Sequence, residues 1–152
     1  MSLSRAALVL TLLAAGPLPV RAQRPASGRA FTPVDWYRLT AVGSPAVSPD
    51  GRRVAFTVTT VREKENTRHA EIWVAPVSGG APVRYTAPGA ESSNPRFSPD
   101  GGKLALVIGS GSGGSTDVWI HEPARDLTKF TFEPGRDAAP VWTQDSRRIA
   151  FA

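Results

Sequence analysis

The chain has 152 residues with 41% hydrophobic and 20% charged positions, enough for one domain with a core of its own. Cysteine is absent, which excludes disulfides, thiolate metal sites and a lipidated N-terminal cysteine. The formal charge of +5 comes from basic residues scattered among acids, as in Arg62-Glu63-Lys64-Glu65, and no clustered basic stripe marks a nucleic-acid surface.

Residues 1–22 read as a secretory signal peptide. Arg5 supplies the positive start, Ala6 to Ala15 is a mostly apolar run, and Gly16, Pro17 and Pro19 break it. Val20-Arg21-Ala22 suits a signal peptidase, with cleavage after Ala22. An uncleaved membrane anchor is the other reading, but a bilayer span takes about 20 apolar residues and this run is roughly half that. The expected location is therefore outside the cytoplasm, periplasmic or extracellular, with no stable membrane anchor after processing. Loss of Arg5 and Arg21 takes the charge from +5 to +3.

Residues 23–43 form the expected leader. Gln23 to Ala30 is small and polar. Thr32-Pro33-Val34-Asp35 carries helix-start signals: a capping threonine, a proline suited to the first turn, and an acid placed for a capping box. A short helix through about Leu39 follows, with Trp36 and Leu39 on one face for packing onto the next unit.

From residue 44 the chain repeats. Pro45–Phe56, Pro95–Leu106 and Pro140–Phe151 align without a gap, and Asp50, Asp100 and Asp145 are separated by 50 and 45 residues. Periods of roughly 40–50 residues belong to propeller blades. Pro49-Asp50-Gly51 and Pro99-Asp100-Gly101 are turns: proline presets φ, aspartate bonds the following backbone, and glycine takes positive φ. A second motif recurs between the turns, as Glu71-Ile72-Trp73 and Asp117-Val118-Trp119.

The strands are expected at about 45–48, 53–61, 70–77 and 83–87, then 95–98, 103–109, 117–122 and 127–132. The fold class is therefore all-β: a partial β-propeller of four-stranded antiparallel blades, at about 44–90, 91–136 and a truncated 137–152. Sandwiches lack this long period. Ala55, Ala105 and Ala150 would let neighbouring blades approach. Val47, Phe97 and Trp142 are expected in the inter-blade core, and Trp73 and Trp119 in the core rather than in a ligand platform. Two blades and a stub cannot close a ring, which takes about four or more, so the chain reads as the start of a longer protein.

The Ser-Pro-Asp-Gly-Arg/Lys repeat, followed by an aliphatic residue and Ala-Phe or Ala-Leu, resembles the Pro-Asp propeller repeat of the prolyl oligopeptidase family of serine peptidases. It also resembles that of TolB-type periplasmic proteins. Phe31-Thr32-Pro33-Val34-Asp35 and Arg62–Arg68 leading into Ile72-Trp73 look like acylaminoacyl-peptidase or dipeptidyl-peptidase members. TolB-type proteins usually place a separate α/β domain before the propeller. The resemblance implies a propeller that gates and positions peptide substrates for a C-terminal α/β-hydrolase domain carrying the catalytic triad, none of which maps onto this chain. The alternative it implies is a non-enzymatic, TolB-like protein-binding scaffold.

The remaining candidates carry little chemistry. Ser110, Ser112 and Ser115 lack the Gly-x-Ser-x-Gly spacing of a nucleophile elbow, and the Gly109–Ser115 tract reads as a flexible hairpin loop. His69 and His121 have acids nearby but not the three or four converging ligands of a metal site, so neither metal nor cofactor is expected. The Asp-box of sialidase propellers does not fit, because Arg52 and Gly102 stand where that motif has glycine and only the second copy matches in part. Glu63 and Glu65 are the one substrate-binding candidate. The family resemblance implies that propeller acids hold a peptide's free amino group, whereas a solvated charged loop is the plainer reading.

Overall fold

The computed structural model describes residues 28–110 and 114–152. The expected signal peptide and most of Gln23 to Ala30 lie outside the described residues, as does Ser112.

The only described helix, α1 (Pro33–Trp36), starts where its signals place it. The Asp35 carboxylate accepts from the Thr32 N–H at 2.8 Å and from the Thr32 hydroxyl at 2.7 Å. The helix stops at Trp36 instead of reaching Leu39. The last contacts, Arg38 N–H to Asp35 O and Leu39 N–H to Trp36 O, are three-residue turn bonds. Trp36 and Leu39 remain 49% and 46% exposed, so they cover the neighbouring strands only partly.

Among the described residues ten strands follow. β1 (Thr40–Val47), β2 (Arg53–Arg62), β3 (Thr67–Pro76) and β4 (Val83–Arg84) form one antiparallel sheet in that order. β5 (Ser92–Phe97), β6 (Leu104–Ser110), β7 (Ser115–Glu122) and β8 (Asp126–Lys129) form a second in the same order. β9 (Val141–Trp142) and β10 (Ile149–Ala150) make a two-stranded hairpin.

The first strand of each full sheet begins earlier than the repeat implies, at Thr40 and Ser92. Each carries a bulge just before the repeated proline. Register shifts between Gly43 and Ala46 and between Ser93 and Arg96. Ser44 and Asn94 adopt positive φ there, at 48° and 52°. Ala139 does the same before Pro140, at 48°. An extra residue bends the strand and lets pairing resume beyond it. The third strands also start earlier, because β2 and β3 pair down to Arg62–Thr67 and β6 and β7 down to Ser110–Ser115.

The core lies between the two full sheets. Ala55, Ile72 and Val74 of the first meet Leu104, Leu106 and Ile108 of the second. Ala55 and Ala105 are fully buried, as close approach requires. Phe97, Trp119 and Leu127 pack at the margin. Val47 departs from expectation: it is 61% exposed, because it pairs with Val54 on the face of the first sheet opposite Ala46 and Ala55, away from the second sheet. Ala150 is exposed as well.

Candidate functional site

The repeated turn is one hydrogen-bonded unit built three times. In the first copy the Ser48 hydroxyl donates to Asp50 Oδ1 at 2.5 Å and accepts from the Arg53 N–H at 2.9 Å. Asp50 Oδ1 also accepts from the Arg52 N–H at 3.0 Å. Gly51 N–H closes on Ser48 O at 2.8 Å. Ser98, Asp100, Gly101, Gly102 and Lys103 repeat every one of these bonds, within 2.6–2.9 Å. Thr143, Asp145, Ser146, Arg147 and Arg148 repeat them again, within 2.6–3.1 Å, without proline or glycine. Gly51 and Gly101 sit at φ of 68° and 72°, where glycine is at ease, while Ser146 takes 59°.

All three aspartates are held below the ordinary carboxylate pKa. The donated hydroxyl of Ser48, Ser98 or Thr143 is the largest cause, followed by the N–H two residues after each aspartate. The hydroxyl position is what sequence reasoning passed over. Its signal was present as Ser, Ser and Thr at the same place in three copies.

The turns also join the sheets. Arg53 donates to Gly101 O at 2.9 Å and lies over the Phe97 ring at 5.2 Å. Asp100 N–H donates to the Ser146 hydroxyl at 3.0 Å, and the Trp142 indole donates to Arg96 O at 3.0 Å. Beside this seam His121 packs on Tyr85, with ring centroids 4.3 Å apart. Burial lowers the His121 pKa, and Arg53 adds to that while Asp126 opposes it.

The tryptophan strands form a second repeated unit. Glu71 pairs with Arg84 at 3.4 Å, and Asp117 with Lys129 at 2.9 Å. Ile72 N–H donates to the buried Thr86 hydroxyl at 3.1 Å, and Val118 N–H to that of Thr131 at 3.0 Å. Trp73 and Trp119 are half-buried and not fully in the core. Arg84 lies 6.0 Å from the Trp73 ring centroid.

His69 is buried, with Nδ1 2.6 Å from Glu91 Oε1 and Nε2 3.3 Å from Glu71 Oε1. Glu91 Oε2 accepts from the Ala70 N–H at 3.0 Å, so this side chain fastens the second sheet's approach strand to β3. The two ring nitrogens address different carboxylates and do not converge on a point. Among the described residues no group of three or more acids and histidines could hold a metal. Glu63 and Glu65 are exposed in the four-residue turn between β2 and β3, with no hydrogen bond or ion pair to another described side chain. Ser115 pairs with Ser110 across the β6–β7 hairpin.

No family model matches the chain. Curated relatives include an uncharacterized peptidase, YuxL, of Bacillus subtilis, 28% identical over 120 residues, or 78% of this chain and 18% of the relative. Tricorn protease homolog 1 of Streptomyces coelicolor is 32% identical over 108 residues, or 68% of this chain and 9% of the relative. The chain therefore spans less than a fifth of either relative.

Among solved structures, Pyrococcus horikoshii acylaminoacyl peptidase matches with a TM-score of 0.64 at 22% identity, over 75% of this chain and 17% of that one. The β-propeller domain of the trilobed protease from Pyrococcus furiosus matches with 0.60 at 20% identity, over 76% and 34%. The two sheets are propeller blades. A TolB-type protein from Agrobacterium tumefaciens shares the fold more loosely, with 0.53 at 21% identity, over 70% and 36%. Blade 1 is thus β1–β4, blade 2 is β5–β8, and β9–β10 is the inner hairpin of a third repeat. The repeated turns run from blade to blade along one rim.

Proposed function

We propose that this chain supplies opening blades of the propeller of an exported serine peptidase of the prolyl oligopeptidase family. The curated peptidase relatives carry this reading, since they match across most of the chain and extend far beyond it. In this role the propeller gates and positions short peptides for an α/β-hydrolase domain elsewhere in the same polypeptide. The apolar run at residues 6–15 supports export. Among the described residues no helix is long and apolar enough to cross a membrane.

Glu63 and Glu65 are offered to the free amino group of a bound peptide. Their support is the exposed hairpin tip, which leaves both carboxylates open to a ligand's ammonium group. The test uses the longer polypeptide and chromogenic peptides with free or blocked N-termini. Glu63→Gln with Glu65→Gln should raise KM about ten-fold for free peptides and leave blocked ones unchanged. An equal change for both removes the amino-group role.

The likeness to the TolB-type fold supports a second reading, a non-enzymatic scaffold that binds other envelope proteins. A longer polypeptide with no peptide turnover would favour it. The isolated chain, residues 23–152, should show no turnover under either reading.

A further inference from the structure

Asp50-Gly51 and Asp100-Gly101 each join a carboxyl to an unhindered following amide. This pairing is open to succinimide formation. The glycine nitrogen attacks the aspartate Cγ and gives up its proton. A C–N bond forms, the Cγ–O bond breaks, and the carboxyl oxygen leaves as water. Water then opens the ring at either carbonyl. One opening restores aspartate, and the other routes the main chain through the side-chain carbon as isoaspartate.

We propose that the Ser48 and Ser98 hydroxyls hold these two sequences as latent isoaspartate sites, unreactive while the turns stay folded. Solvent access is not the guard, because both aspartates are exposed. The guard is geometry. Each attacking amide is already donating, from Gly51 to Ser48 O and from Gly101 to Ser98 O, both at 2.8 Å. Each Oδ1 is anchored by the serine hydroxyl and by the N–H of residue 52 or 102. The carboxylate is thereby fixed toward the second following amide rather than the first.

Ionisation adds to this. A carboxylate is a poor electrophile, since only the protonated group can lose water. The same hydroxyl bonds hold both carboxyls below their ordinary pKa. Asp100 carries one restraint more, because its own N–H donates to Ser146. Asp50 is the less restrained site. The third copy places Ser146 on the attacking nitrogen, where a side chain hinders the reaction.

The damage would be local and severe. Isoaspartate lengthens the main chain inside the turn. The bond from Ser48 N–H to Arg53 O, 2.8 Å, then loses its register.

The test incubates the whole chain at neutral pH, folded or in guanidinium. Isoaspartate at each site is read by isoaspartyl methyltransferase labelling and peptide mass spectrometry. Both sites should convert about ten-fold or more slowly in the folded chain, the factor expected for losing one charge-assisted hydrogen bond. Equal folded and denatured rates would overturn the proposal, and this comparison needs no variant. Ser48→Ala should speed conversion at Asp50 by a similar factor and leave Asp100 slow. Asp100 then reports that the chain is still folded. A folded Ser48→Ala chain with an unchanged Asp50 rate would also overturn it.

Discussion

β2 of blade 1 and β6 of blade 2 follow the same repeat yet are buried differently. In β2 burial alternates: Ala55 and Thr57 are buried, and Val54, Phe56 and Val58 are only partly covered. In β6 the run Leu104 to Ile108 is buried throughout. Blade 2 stands between blade 1 and the third repeat, so both its faces are covered. Among the described residues blade 1 has a neighbour on one face only. β2 nevertheless places its large apolar residues, Val54, Phe56 and Val58, on the partly covered face opposite Ala55 and Thr57, which suits a sheet covered on two sides. Residue choice thus records the neighbour a blade is made for, and burial records the neighbour that is described.

Core truncation should break this comparison most strongly. Leu106→Ala, at a fully buried site, should cost about 3 kcal/mol by urea denaturation of the chain. Phe56→Ala should cost roughly 1–2 kcal/mol in this chain. In a longer propeller the Phe56 effect should grow toward that of Leu106. Equal losses in the short chain would mean that the open face of blade 1 is covered by something else.

The turn hydroxyls come next. Ser98→Ala removes a buried hydroxyl and strands the Lys103 N–H that it accepts from, and should cost about 1–3 kcal/mol. Ser48→Ala should cost nearly as much. Thr143→Ala should cost less, because Thr143 is exposed and water can replace its bonds.

Acid sensitivity follows from the same bonds. A carboxyl with a lowered folded pKa binds its proton less readily folded than unfolded. The stability it contributes is present above the ordinary aspartate value of 3.8 and is lost as pH falls through and below it. Replacing the three aspartates with asparagine should flatten the fall in urea midpoint below pH 4. His121 acts in a higher window. Its folded pKa lies below the ordinary 6.5, so its contribution is present above that value and fades as pH drops beneath it. His121→Gln should flatten the wild-type decline between about pH 6.5 and 5.

The smallest effect compares the third turn with the first two. Ser146→Gly relieves a residue at positive φ but removes the acceptor for Asp100 N–H. These terms are each about 1 kcal/mol and oppose, so the melting temperature should barely move. Ser146→Ala keeps the strain and loses the bond, and should lower it.

The architecture was legible because three twelve-residue copies place turns and strands by position alone. The strand starts were not, because bulges at Ser44 and Asn94 precede the prolines, and serine, unlike asparagine, has no local preference for the positive φ found there. Asp50 and Asp100 were legible as turn formers. The hydroxyl that organises them was hidden by its ordinariness, since serine before proline reads as a generic loop. Glu91 was illegible for another reason: its partner, His69, lies 22 residues away and on the preceding blade. The burial of His69 and the half-burial of Trp73 likewise depend on contacts that strand alternation alone does not set.

The most direct test of the peptidase reading is labelling with a serine-reactive fluorophosphonate. The longer polypeptide should take up one label per chain outside the propeller, and residues 23–152 should take up none. An unlabelled longer polypeptide that also fails to cleave peptides would contradict the account and leave a propeller scaffold in its place.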